Sequence, residues 1–392
     1  MNHGWEKKKL GDIGTIITGS TPKTTVESYY DSDDFMFVKP SDIGDNSLNE
    51  LNISETYISS KAYNEVARKL PKGTVLVTCI GIIGKVAILC EEATCNQQIN
   101  AIIPNDTINN KFLGYGIMSI RCILVSKKNG PVVPIINKSQ FSNFQIPVPT
   151  NEVQERIVRE LDKLNELIEL KRNQLKDLDT LAQSLFYETF GDPIENPKGW
   201  ESILLEECVN DNCPISYGIV QPGEDVANGT PLVRPVDFGA NRCVFNKNLK
   251  HVSPSISESY KRTILKGDEI LICVRGTTGL VKLSHTSLRG ANVTRGIVPI
   301  QIKSQLSKIY IYEYLKRERA QSYIQSYTKG IALKQINLSD LRSLPILLPP
   351  VSLQNEFAEK IEAIEEQKRL IESSISDLET LLASRMDYWF ND

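Results

Sequence analysis

Histidine is nearly missing from this 392-residue chain, which has three: His3, His251 and His285. That argues against a hydrolase built on a histidine base. Cysteine occurs eight times but never as CxxC, and no zinc-ligand spacing joins cysteines to histidines. The thiols read as reduced side chains packed in cores. No run of 18 apolar residues occurs, so no membrane-spanning helix is expected. The opening MNHGWEKKKL lacks the apolar stretch of a signal peptide, so a cytoplasmic location is expected. Nucleotide motifs are missing too. Gly81-Ile-Ile-Gly84-Lys85-Val86 is too short for a phosphate loop and lacks its hydroxyl residue. There is no GxGxxG after a strand, no GxSxG, no HExxH and no Asn/Asp-Pro-Pro-aromatic methyltransferase element. The carboxylate pairs Asp33-Asp34 and Glu91-Glu92 read as solvated loops. The expectation is a chain with no catalytic site, metal or cofactor of its own.

What is present is a repeat. With 41% apolar and 24% charged residues the chain is ordinary globular material, long enough for two or three domains. Val38-Lys39-Pro40-Ser41-Asp42-Ile43-Gly44 recurs 195 positions later as Val233-Arg234-Pro235-Val236-Asp237-Phe238-Gly239. Gly4-Trp5 recurs as Gly199-Trp200 at the same offset, and both tryptophans read as core anchors. Lys72-Gly73 leads to Gly81-Ile-Ile-Gly84 as Lys266-Gly267 leads to Gly276-Thr-Thr-Gly279. Further on the offset is 200: Gly130 matches Gly330, Ile136-Asn137 matches Ile336-Asn337, Gln154 matches Gln354, and Phe190 and Asp192 match Phe390 and Asp392. Two diverged copies of one unit share the chain.

Each copy joins a globular part to a long helix. Residues 1–150 and 191–350 mix β-rich runs (Gly73–Ile80, Glu269–Val274) with turns and helical stretches such as Ile309–Tyr323, an α/β or α+β pattern. Residues 151–190 and 351–392 read as helices of about 40 residues, or about 60 Å. Pro149 and Pro349-Pro350 stop the preceding strands, and Asn151 with Gln154 resembles a capping box. Ile157, Leu161, Leu164, Ile168, Lys171, Leu175, Leu178, Ala182 and Leu185 step by four and three, the heptad signature. Phe357, Ile361, Ile364, Lys368, Ile371, Ile375, Leu378, Leu382 and Arg385 repeat it. Lys171 and Lys368 interrupt the seam in different layers. A rotated duplicate requires the two helices to run antiparallel, as a coiled-coil spacer with a globular domain at each end. The helical segments carry net charges of −3 and −6 against −3 for the whole chain, so the globular parts together hold +6. Two mildly basic heads on an acidic rod suit a polyanion held at two places.

In this order, twice over, these residues resemble the DNA-specificity subunit of type I restriction–modification systems. The resemblance runs end to end. Its most specific marks are Phe190-Gly191-Asp192-Pro193 with Asn196-Pro197-Lys198-Gly199-Trp200, and Ile136-Asn137 through Pro149 to Gln154 with its partner Ile336-Asn337 through Pro349-Pro350 to Gln354. The resemblance implies two target-recognition domains, 1–150 and 191–350, each reading one half of a split site in double-stranded DNA. Two conserved helices, 151–190 and 351–392, fix the gap, so inserting about one helical turn in both should change the gap and spare the half-sites. It also implies docking of two modification subunits that methylate adenine at N6, and of two restriction subunits. S-adenosylmethionine, ATP and magnesium would belong to those partners.

Candidate DNA contacts follow from side-chain chemistry in the repeated loops. Lys39 and Arg234 occupy equivalent turns, with local pairing to Asp42 or Asp237 as the competing reading. Arg275, Thr277 and Thr278 lie in a glycine-flanked loop that permits close backbone approach, and its counterpart carries Lys85. Asn96, Gln97 and Gln98 offer amides suited to adenine, with Asn292 and Arg295 near the matching place. Lys138, Lys329 and Lys334 flank the approach to the helices as phosphate contacts. Asn137 and Asn337 read as turn or capping residues, and Tyr323 and Tyr327 as helix packing. Two other classes compete. A coiled-coil adaptor that binds proteins alone would show no salt-dependent DNA binding. A cryptic nuclease would cleave DNA with a divalent metal.

Overall fold

The computed structural model describes residues 4–45, 47–127, 134–330 and 334–391. His3, Gly130 and Asp392 lie outside them. The chain forms two units, Met1–Gln174 with Ile371–Asp392, and Leu175–Leu370. Each contains one globular domain and part of both long helices.

In the first unit a five-stranded sheet runs Gly14–Thr18, Ile99–Pro104, Val75–Thr78, Val86–Leu89, Asn49–Leu51. Val75–Thr78 and Val86–Leu89 are buried at every position, so their β-branched runs need no polar alternation. A three-stranded sheet, Tyr57–Ile58, Phe35–Val38, Ala93–Cys95, packs beside it, with Phe35–Val38 parallel to Ala93–Cys95. The second unit repeats this plan with one edge strand fewer. Its four strands run Cys243–Val244, Val281–Ser284, Ile270–Cys273, Ile297–Ile300, and its three run Lys250–Val252, Thr230–Val233, Asn292–Val293. In both units a short antiparallel pair ties the domain's start to the strand before the long helix: Lys8 opposite Ile146, Ile203 opposite Ile346. The expected helix over Ile309–Tyr323 is two, Lys308–Leu315 and Glu318–Ser326. Arg317 between them is extended (φ −75°, ψ 156°), and its guanidinium turns back 2.5 Å onto the buried carboxylate of Glu313.

The long helices are Asn151–Phe190 and Val351–Phe390. Within each unit their segments run antiparallel. In the first, Glu160 pairs with Arg385 and, further along, Arg172 with Glu379 at 2.8 Å. In the second, Asp179 meets Lys368 at 2.8 Å, and Phe186 meets Phe357 edge-on at 5.7 Å. Every heptad position is buried or half-buried. Ile157, Leu161 and Ile168 in the first unit, and Phe357, Ile361 and Ile364 in the second, are buried. Leu164, Leu175, Leu178, Leu185, Ile371, Ile375, Leu378 and Leu382 are half-buried, since two helices alone cover less of each other than a domain does. Where a helix end enters its domain the packing is aromatic: Phe112 on Phe390 at 5.1 Å, Phe190 on Tyr310 at 4.7 Å.

Gln154 is not the expected capping-box partner. It is fully buried. Its Oε1 accepts from the N–H of Asn109 at 2.8 Å and its Nε2 donates to the carbonyl of Pro149 at 3.0 Å. Gln354 does the same in the second unit, accepting from Ser307 N–H at 3.0 Å and donating to Pro349 at 2.8 Å. Each glutamine thus clamps the first turn of a long helix to the first turn of a helix in its domain. The tryptophans seal the other end: Trp200 donates to the carbonyl of Phe190 at 2.8 Å, and Trp5 stacks on Trp389 at 5.9 Å.

Candidate nucleic-acid interface

In the second unit three chain segments meet around the ends of its central strands. The Arg275 segment forms an antiparallel bridge with Gln335, and Gly276 N–H donates to the Lys334 carbonyl at 2.8 Å. Gln335 and Lys329 exchange backbone bonds of 2.8 and 2.9 Å. Val274 N–H reaches the Gly296 carbonyl at 2.9 Å, which sets Arg295 beside this pair, and Gly296 lies against Pro235. Five sequence-predicted cations, Arg234, Arg275, Arg295, Lys329 and Lys334, are therefore brought to one rim. Lys329 and Lys334 are exposed and the three arginines half-buried. Arg234 has a local partner, Asp237, at 2.9 Å, which raises its guanidinium pKa and neutralises much of its charge. Arg295 lies over the ring of Tyr217 at 5.7 Å. The Nε of Arg275 is shielded from water and has no hydrogen-bond partner among the described residues. Thr277 is exposed, while Thr278 is buried and donates to the Lys334 carbonyl at 3.2 Å, so it holds the loop shut.

The first unit builds the same rim with other side chains. Ile80 bridges Ile135 where Arg275 bridges Gln335. Gly81 N–H donates to the Pro134 carbonyl at 3.0 Å. Lys39 turns its ammonium to Thr56 at 2.7 Å, while its backbone N–H is capped by Asp42. Lys85 donates to the carbonyls of Pro40 and Ile43 at 3.3 and 2.7 Å. That ammonium braces the Lys39–Asp42 turn from inside the fold, a role sequence reasoning did not see. Asn96 is buried and pairs with Gln98, Nδ2 to Oε1 at 3.0 Å. Gln97 alone of the three amides is exposed, its Oε1 accepting from Thr21. Lys138 is exposed at the first turn of Lys138–Ser142, which Asn137 caps. Asn292 of the second unit is fully buried, its amide shared among Thr263, Ser257 and Tyr260. It is a core network residue and does not join Arg295 at the surface. The rings of Tyr323 and Tyr327 meet at a tilt with centroids 4.6 Å apart, and Tyr323 donates to the Asp340 carbonyl.

Among the described residues no three His, Cys, Asp or Glu side chains gather as a metal site, and no helix is long and apolar enough to cross a membrane. Two copies of one domain, each with a loop-built rim and each followed by a long helix, define an internally duplicated protein. The model of the type I restriction modification DNA specificity domain matches it twice, over residues 2–180 and 210–380. The chain belongs to this family and is a specificity subunit of a type I restriction–modification system, the DNA-recognising and non-catalytic component. The MjaIX specificity subunit of Methanocaldococcus jannaschii is 26% identical, over 93% of this chain and 87% of its own. The EcoBI specificity subunit of Escherichia coli is 21% identical, over 74% of this chain and 66% of its own. A specificity subunit from M. genitalium shares the fold at a TM-score of 0.56, with 15% identity, covering 100% of this chain and 97% of that one. A chain from a type I system solved to explain complex assembly and conformational transition does so at 0.62, with 20% identity over 99% and 97%.

Proposed function

We propose that each unit reads one half of a bipartite DNA target, with the antiparallel helices setting the gap, and that the chain scaffolds two modification and two restriction subunits in the cytoplasm. The observation that carries this reading is the same rim occurring twice, each copy attached to one end of both long helices. The chain needs no cofactor for this. S-adenosylmethionine, ATP and magnesium serve the partners. Repeated apolar residues on the outer helix faces support the scaffold role. Leu170 and Leu370 are 60% and 63% exposed, and Leu181 and Leu381 51% and 46%, each pair related by the repeat. Exposed leucines at repeat-related positions suit two copies of one partner.

The test is a single-molecule methylome of the source strain with and without this gene. Loss of N6-methyladenine at one motif of two short half-sites around a fixed gap is the expected result. Assembly with partners but no salt-dependent DNA binding by the complex would favour the adaptor reading instead.

A further inference from the structure

The two rims share a backbone and differ in chemistry, so their superposition by hydrogen bonds isolates the positions free to vary. Asn96 N–H donates to Val38 at 3.1 Å, and Thr294 N–H to Val233 at 3.0 Å. Cys79 N–H donates to Gln98 at 2.8 Å, and Val274 N–H to Gly296 at 2.9 Å. Gly84 N–H reaches Thr78 at 2.9 Å, and Gly279 N–H reaches Cys273 at 2.8 Å. Ile136 N–H reaches Cys79 at 2.9 Å, and Ile336 N–H reaches Val274 at 3.0 Å. These bonds make Ile80 the equivalent of Arg275, Ile82 of Thr277, and Gln97 of Arg295. Gly19 and Gly218 hold both frames equally tightly. A Cβ on either would stand 2.2 Å from the Asn96 carbonyl or 2.1 Å from the Val293 carbonyl.

On this rigid frame the first unit shows Ile82, 55% exposed, Ile135, 40% exposed, and the Gln97 amide oriented by Thr21. The second shows Thr277, Arg295 over the ring of Tyr217, and Arg275, whose Nε has no hydrogen-bond partner among the described residues. In the major groove a glutamine amide matches the N6 and N7 of adenine, and an apolar side chain meets the thymine methyl. A guanidinium matches O6 and N7 of guanine. A phosphate-binding loop would not place isoleucine at two exposed positions.

We propose that Ile82 and Gln97 in the first unit, and Arg275 and Arg295 in the second, determine the bases read, so that the first domain takes an A·T-containing half-site and the second a guanine-containing one. This rests on the bipartite reading above and goes further by assigning base identity to domain and residue. The test uses the complete chain co-expressed with its modification subunit in a host lacking other adenine methylation. Methylated motifs are read for the wild type and for Gln97→Ala, Gln97→Arg, Arg275→Gln and Arg295→Gln, with subunit assembly checked for each. Arg275→Gln and Arg295→Gln are expected to relax a guanine in one half-site, lowering discrimination there by roughly ten- to a hundred-fold, with the other half-site and the gap unchanged. Gln97→Ala should relax an adenine in the opposite half, and Gln97→Arg should move that position toward guanine. A wild-type bipartite motif that every assembled variant methylates with the same base preferences overturns this assignment and leaves the bipartite reading intact. So does a uniform loss over all sequences, which would mark phosphate contacts. An active, assembled wild-type complex with no bipartite motif overturns both.

Discussion

At the residue scale the repeated polar side chains divide by burial into those that build the frame and those that face outward. Gln154 and Gln354 build it. Replacing Gln354 with alanine strands the Ser307 N–H and the Pro349 carbonyl away from water, at a cost of about 1–3 kcal/mol for each group left unpaired. We expect Gln354→Ala to lower the melting temperature measurably, and Gln97→Ala, at an exposed position, to leave it nearly unchanged; calorimetry distinguishes them. The cysteines sort in the same way. Burial pushes the thiols of Cys79, Cys95 and Cys208 up to about 12 and that of Cys273 up to about 11. The thiolate is the nucleophile, so these four stay protonated and inert at pH 8. Cys122 is the exposed one. Mass spectrometry after brief native alkylation should find Cys122 modified first and those four only after unfolding.

At the element scale, the parts legible in the sequence are those set by local periodicity. The heptad steps of Ile157 to Leu185 and Phe357 to Arg385 place the seam because a helix has one period and one buried stripe. The glycine turns are legible for a similar reason: Gly81, Gly84, Gly276 and Gly279 all adopt positive φ, which their spacing announces. What was not legible depended on contacts distant in sequence. By sequence Lys85 reads as a loop cation, whereas the Pro40 and Ile43 carbonyls hold its ammonium. By sequence Asn292 reads as a surface amide, whereas Ser257 and Thr263 close over it. No local pattern separates a lysine that faces DNA from one that faces a carbonyl 42 residues away. The same division sets which helix contacts matter for stability. Arg172 and Glu379 are both over 40% exposed, and such a pair contributes about 0–1 kcal/mol. Phe357 is 1% exposed and packs on Phe186 and Phe190, so its truncation to alanine costs about 3–5 kcal/mol. Denaturant titration of Arg172→Ala and Phe357→Ala should show a small shift for the first and a large one for the second.

At the scale of the whole molecule, the proposed spacing role makes the long helices a ruler, and DNA geometry says how lengthening should register. One heptad added to both helices keeps the seam and adds about 10 Å. That is about three base pairs of DNA, a third of a turn, so the lengthened gap would bring the second half-site round to a different face. Three heptads add about 32 Å, close to the 34–36 Å of a full DNA turn, and restore the original face. The series therefore has a shape. One added heptad should weaken methylation sharply, where the sequence reading alone expects a simple change of gap, and three should restore it at a gap about one turn longer, with both half-sites unchanged. Motif sequencing of the two insertion variants, each confirmed to assemble with the modification subunit, measures this directly. If the three-heptad variant methylates the original gap, the helices do not set the spacing. If it methylates the longer gap but with different half-sites, the helices act on the recognition domains themselves, and the ruler must be replaced by a coupling between helix and rim.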